Sequence, residues 1–178
     1  MPSPVVTHAI LTWALLGAML MIVALFSHLL LIQQLENINV ALSEVAESVA
    51  RETVELVSVF TLGGGSYSYM ALTLPSTLAG QPYEILISEE LAGEGNVLKV
   101  TAKLQIYQQV RVVVTPNFGK EPVHAVGTPG TNCAEPVEIP GLGRISNSLL
   151  VPLPSGRAVI TAYRHGGSIC IGFAVARL

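Results

Sequence analysis

Residues 5–32 read VVTHAILTWALLGAMLMIVALFSHLLLI, and the fold turns on how this stretch is interpreted. No charged side chain falls between Pro4 and Ile32, and the polar ones are only Thr7, His8, Thr12, Ser27 and His28. About 20 helical residues cross a hydrocarbon core about 30 Å thick, so the run is long enough to span a bilayer with some tilt. A removable secretory signal fits poorly, because it would need a positive start, an apolar core of about 7 to 15 residues and a small-residue cleavage site. The first basic residue of the chain is Arg51. With so little chain ahead of the apolar run, the simplest orientation places the N-terminus inside and the bulk outside.

The helical pattern continues past the membrane-length part. Leu35, Ile38, Leu42, Val45, Val49, Leu56, Val59 and Phe60 recur at three- and four-residue spacing, with Glu36, Glu44, Glu47, Arg51, Glu52 and Glu55 between them. No Pro or Gly occurs between Met19 and Leu62. One helix of roughly 85 Å is therefore expected from Val6 to Leu62 at the standard rise. Gly63, Gly64 and Gly65 should end it, supplying left-handed backbone for the stop and a flexible neck. The expected organisation is a helical segment 1–62, a neck 63–66 and a β domain 67–178.

Beyond the neck the period changes to that of strands. Candidates are Tyr67 to Leu74, Tyr83 to Ser88, Val97 to Ala102, Gln105 to Thr115, Val123 to Val126, Leu149 to Leu153, Ala158 to Tyr163 and Ile169 to Ala176, punctuated by Pro and Gly turns. Short strands without intervening helices predict an antiparallel sandwich or small barrel. The Pro- and Gly-rich stretch Gly127 to Asn147 reads as a loop. Cys133 and Cys170 would lie in the exported part, where an oxidising compartment favours a disulfide between them. Two separate buried thiols are the alternative; a metal site is poorer, since His124 and His165 are not at finger spacing.

The composition restricts the chemistry. The chain has 178 residues, 51% hydrophobic and 12% charged, with a net charge of −3. That offers no basic field for a nucleic acid. All 12 acidic residues are Glu, which removes the usual Asp of calcium loops and catalytic triads. No HExxH, nucleophile elbow, P-loop or dinucleotide fingerprint is present. His8 and His28 are costly in lipid and so are functional candidates, with a hydrogen bond to a neighbouring helix as the plainer reading. Glu89, Glu90 and Glu94 read as a solvated hairpin tip. No catalysis and no cofactor are expected. Ala14, Gly17 and Ala18 form a patch where helices can approach closely, with Ala14 and Ala18 as a small-xxx-small pair. There is no N-x-S/T acceptor in the chain.

The run Ser3-Pro4-Val5-Val6, the long apolar helix and the amphipathic Leu42-Ser43-Glu44-Val45-Ala46-Glu47-Ser48-Val49 together resemble the archaeal type IV pilin superfamily. That superfamily includes pilins, archaeal flagellins and pilin-like accessory proteins. The segment around Leu74-Pro75, Gly80 and Tyr83-Glu84-Ile85-Leu86-Ile87 is similar to the first hairpin of many such β domains. The resemblance implies an α+β fold: a long hydrophobic N-terminal helix followed by an antiparallel, Ig-like β-sandwich on the outside of the cell. It implies identical subunits in a helical filament as partners, and the membrane before assembly. It also implies a prepilin peptidase and an assembly ATPase, whose nucleotide motif this chain does not carry. The β domain would coat a cell-surface filament and mediate adhesion. The alternative is a membrane-anchored ectodomain, such as an archaellum accessory protein binding the surface layer. A third reading, a binding module for sugar or metal, rests on fold analogy alone. Family precursors carry a short basic leader, and nothing before Ser3 supplies Lys or Arg. Either the numbering begins at the mature N-terminus, or the chain is a membrane component that is never cut.

Overall fold

The computed structural model describes residues 3–63, 65–92, 95–105, 110–116, 118 and 122–176. Of the residues singled out above, Gly64, Glu94 and positions 106–109 of the strand expected from Gln105 to Thr115 lie outside these. The fold is α+β; the described residues form one helix, α1 (Pro4–Leu62), followed by ten strands. The chain divides into two compact units, Met1–Ile38 and Asn39–Leu178. The boundary falls inside α1, so the second half of the helix belongs with the sheets.

The helix starts at a proline in its first turn, a position where the missing N–H costs nothing. The Ser3 carbonyl accepts from the N–H groups of Val6 and Thr7 at 3.0 and 3.3 Å. Within the second unit the helix buries Leu42, Val45, Ala46, Val49, Ala50, Thr53, Leu56, Val57 and Phe60, a seam at helical spacing. Val59, expected on that face, is 57% exposed. One hundred degrees per residue rotates it off the stripe that Leu56, Val57 and Phe60 occupy. The Thr53 hydroxyl avoids an unpaired burial by donating to the Val49 carbonyl at 2.6 Å.

The strands are β1 (Tyr67–Ala71), β2 (Tyr83–Ala92), β3 (Gly95–Leu104), β4 (Val110–Val114), β5 (Val123–Ala125), β6 (Glu138–Ile139), β7 (Gly143–Arg144), β8 (Ser148–Val151), β9 (Arg157–His165) and β10 (Ser168–Ala176). They form one sheet ordered β1-β9-β10-β5, a second ordered β4-β3-β2-β8, and the small pair β6-β7. The all-antiparallel expectation is corrected at one place: β5 runs parallel to β10, from Ile169 opposite Val123 to Ile171 opposite Ala125. A parallel neighbour needs a long crossover, here the chain from β5 through β9.

The two sheets are buried differently. In β9 and β10 every residue from Ala158 to Tyr163 and from Ser168 to Ala174 is buried, so the two central strands of the first sheet are covered on both faces. Val159, Tyr163, Cys170 and Ala174 pack with Val126, Cys133, Ile139, Leu142 and Ile145 from the 126–145 segment. On the opposite face Arg164 lies over Phe60 of α1, 5.5 Å from the ring centroid. The second sheet alternates, burying Tyr83, Ile85 and Ile87 and Leu98, Val100, Ala102 and Leu104 while the residues between face outward.

The segment read as a loop is therefore a lid on the first sheet. Cys133 and Cys170 form a disulfide with Cα atoms 5.5 Å apart, which fastens the lid to β10. Gly172 is where the lid comes closest: a Cβ there would lie 2.5 Å from the Ile145 methyl and 2.9 Å from the Ser146 carbonyl. Only glycine permits that approach.

Candidate functional site

The feature with functional content is the surface of the first unit. Every large apolar side chain from Val5 to Ile32 is exposed, between 46% at Ile32 and 76% at Val5. A helix apolar on all sides belongs in lipid or inside a larger packing of helices. The helix meets the length and composition required to cross a membrane. Together with the disulfide, which belongs to oxidising compartments, this gives the chain a membrane-associated, extracytoplasmic character.

Polar groups in this segment are largely self-contained. The Thr12 hydroxyl donates to the His8 carbonyl and the Ser27 hydroxyl to the Val23 carbonyl, both at 2.9 Å. In an apolar medium such internal bonds remove the cost of a bare hydroxyl. The imidazoles of His8 and His28 have no such bond among the described residues. Ala14, Gly17 and Ala18 lie at i, i+3 and i+4, on one side of the helix. A Cβ built at Gly17 meets nothing within 4 Å, so this patch is an open shallow in the helix surface.

At the other end of α1 the Gly63 N–H still bonds the Val59 carbonyl at 3.1 Å. Neither Gly63 nor Gly65 has a positive φ. The left-handed stop expected here does not occur at those two positions.

Among the described residues, the β domain holds one buried pair of ionisable side chains. His124 Nδ1 on β5 lies 3.0 and 3.1 Å from the two carboxylate oxygens of Glu89 on β2, with side chains only 14% and 8% exposed. This ties the two sheets together and corrects the reading of Glu89 as a solvated tip. The hairpin extends to Ala92, and Glu89 shares the inward parity of Tyr83, Ile85 and Ile87. Glu90 points the other way, is half exposed and pairs with Lys99 at 3.4 Å. The alternation was the signal that could have found the pair, since an inward carboxylate requires a partner.

Burial shifts three side chains among the described residues, raising Tyr163 as well as Tyr83 and the partly buried Glu52. The Tyr83 hydroxyl donates to the Pro75 carbonyl at 2.7 Å, and burial pushes its pKa up to about 12. Burial also raises the Glu52 carboxyl, against a smaller lowering by the Ser48 hydroxyl. Among the described residues no three His, Cys, Asp or Glu side chains gather as metal ligands. A cavity of about 610 Å³ between β1, β8 and β9 is lined by aliphatic residues, Thr73, Ser76 and Arg157, with no carboxylate, imidazole or thiol. The helix followed by β-sheets is consistent with a type IV pilin-like fold. Compared with protein-family models, curated proteins and solved structures, the chain matches none.

Proposed function

We propose that this chain is a non-catalytic structural subunit of an extracellular archaeal type IV pilus-like filament. The sequence alone would carry the core from Val5 to about Leu62; because Leu42 to Phe60 bury their seam within the second unit, the packing against identical copies is proposed for Val5 to about Ile38. The β domain forms the outer surface and serves adhesion. The observation that supports this reading is a membrane-length helix exposing apolar side chains on every side. Each large apolar side chain taken out of water contributes about 1.5–3 kcal/mol, so a released filament resists dissolution strongly. Inside the membrane that drive is absent, and close packing must select the partner. Ala14, Gly17 and Ala18 supply the close approach. Maturation by a prepilin peptidase and extraction from lipid by an assembly ATPase belong to the proposal.

The same exposed helix also suits a membrane-anchored ectodomain of the archaellum accessory kind, which binds the surface layer. Shearing surface fibres from native cells and identifying their major protein by mass spectrometry separates the two. The filament reading expects this chain as the dominant component; its confinement to the membrane pellet supports the anchor. In a strain that makes filaments, Gly17→Leu and Ala14→Leu fill the shallow and are expected to abolish them while the β domain keeps its melting temperature. Normal filaments from both variants would remove the packing role.

A further inference from the structure

β4 lies at the edge of the second sheet, and its register sets which backbone groups it turns away from that sheet. The Thr115 N–H donates to the Leu98 carbonyl at 2.8 Å, and Val113 and Arg111 follow opposite Val100 and Ala102. Hydrogen-bonded pairs alternate along an antiparallel ladder. Residues 111, 113 and 115 therefore face β3, while Val110, Val112 and Val114 present their N–H and C=O groups outward. Among the described residues no other backbone group bonds these three. Pro116, the next outward position, has no N–H to give and ends the open stretch.

The side chains leave the edge equally open. Val110, Val112 and Val114 are 48%, 44% and 52% exposed on the outer face of the sheet. The neighbouring charges on that face are paired within the sheet, Lys103 with Glu84 at 2.9 Å and Lys99 with Glu90 at 3.4 Å. Arg111 is the only charge in β4 and is exposed; by alternation its side chain belongs to the opposite face. Soluble proteins protect such an edge with lysine, proline or a bulge. From Val110 to Val114 this strand has none of the three.

An edge of this kind is its own complement. Turned about a two-fold axis that passes beside Val112 perpendicular to the sheet, a second β4 lies antiparallel to the first, with Val112 opposite Val112 and Val110 opposite Val114. The outward groups then meet as hydrogen-bonded pairs, and the valines of both strands close into one patch on a shared outer face. Arg111 falls opposite Val113, so no like charges stand directly across from each other. We propose that β4 pairs in this way with β4 of a second copy carried by another filament. The contact is isologous, the same patch serving both sides. Copies within one filament repeat by a screw about its helical core, so a two-fold at the outer surface relates two filaments. The inference rests on the filament reading and names the partner of its adhesive surface as the same protein. Five edge residues bury far less than the about 800 Å² per partner of a stable complex. One pair is weak, and many pairs along two filaments act together.

The test uses sheared filaments of the full-length chain. Wild-type filaments are expected to lie side by side in electron micrographs and to sediment together at low speed. Val112→Lys and Val112→Glu each set like charges against each other at the two-fold. Either is expected to lower the co-sedimenting fraction at least about tenfold, with the filaments themselves and the melting of the β domain unchanged. Mixing the two variants sets Lys opposite Glu and is expected to restore association, which a merely structural role for Val112 would not do. In Val112→Cys filaments a hydrogen-bonded pair places the Cα atoms about 5.5 Å apart, within disulfide range. Mild oxidation of a mixture of isotopically heavy and light filaments is expected to give dimers that contain one chain of each. Unassociated wild-type filaments, association that survives Val112→Lys or fails to return on mixing, or dimers of one isotope alone would each overturn this contact and leave the filament reading in place. Absence of filaments from the wild type would overturn both.

Discussion

The two halves of α1 obey opposite rules. From Val5 to Ile32 apolar side chains point everywhere and every large one is exposed. From Leu42 to Phe60 they are gathered into one seam, with Glu44, Glu47, Arg51 and Glu55 on the other side. Hydrophobicity alone does not mark a core. Its angular distribution does, because a sheet covers only one side of a helix while lipid or sister helices cover all of it.

The sharpest way to break this comparison is to delete the same side chain in each half. Leu42→Ala empties a fully buried site and is expected to cost about 2–5 kcal/mol. Leu20→Ala, at a position 68% exposed, is expected to leave stability unchanged. Thermal unfolding of the detergent-dispersed chain, followed by near-ultraviolet circular dichroism, reads both. Equal losses would mean that the halves are not energetically distinct.

Removing the disulfide comes next. Cys133 and Cys170 are 37 residues apart in sequence, and replacing both with Ser is expected to cost about 2–4 kcal/mol. Far-ultraviolet ellipticity of the apolar helix should survive the melting of the sheets. Loss of both together would show that the first half depends on the second.

Glu52 sharpens the comparison from within the seam half. Burial favours its protonated form, so its folded pKa lies above the unfolded value of about 4.3. Its contribution to stability is then fully present below that value and is lost as the pH rises through the higher folded pKa. Glu52→Gln is expected to raise the melting temperature at pH 7 and to match the parent near pH 4. A gain of equal size at both pH values would assign the effect to packing instead.

The smallest effect is expected outside both halves. Ala79 has φ +50° in a tight turn with Gly80 at +73°, where Leu78 and Gln81 exchange N–H to carbonyl bonds at 3.0 and 2.9 Å. This turn favours Asn or Gly at Ala79. Ala79→Asn should stabilise by under about 1 kcal/mol, read as a small rise in chemical denaturation midpoint.

How much of this was legible differs by element. The helix limits and the long strands were, because period 3.6 gives way to period 2 at the glycines. Four of the nine seam residues were not. Ala46, Ala50, Thr53 and Val57 are small or polar and add little to an apolar pattern, yet all four are buried. The parallel β5 and the two-residue strands β6 and β7 are too short to carry a period, and their positions are set by partners distant in sequence. Glu89 and His124 were misleading in composition and informative in parity. For the Ala14, Gly17 and Ala18 patch, sequence and structure give the same information, since a Cβ built at Gly17 meets nothing within 4 Å.

The hydroxyl bonds of Thr12 and Ser27 within the apolar half have one more consequence. Each polar side chain carries its acceptor with it, one turn away on the same helix. A segment transferred from lipid into a protein lattice would exchange no hydrogen bond at either residue during the passage. For these two groups the two surroundings are interchangeable solvents, and a transfer of the helix from one to the other would meet no barrier from them.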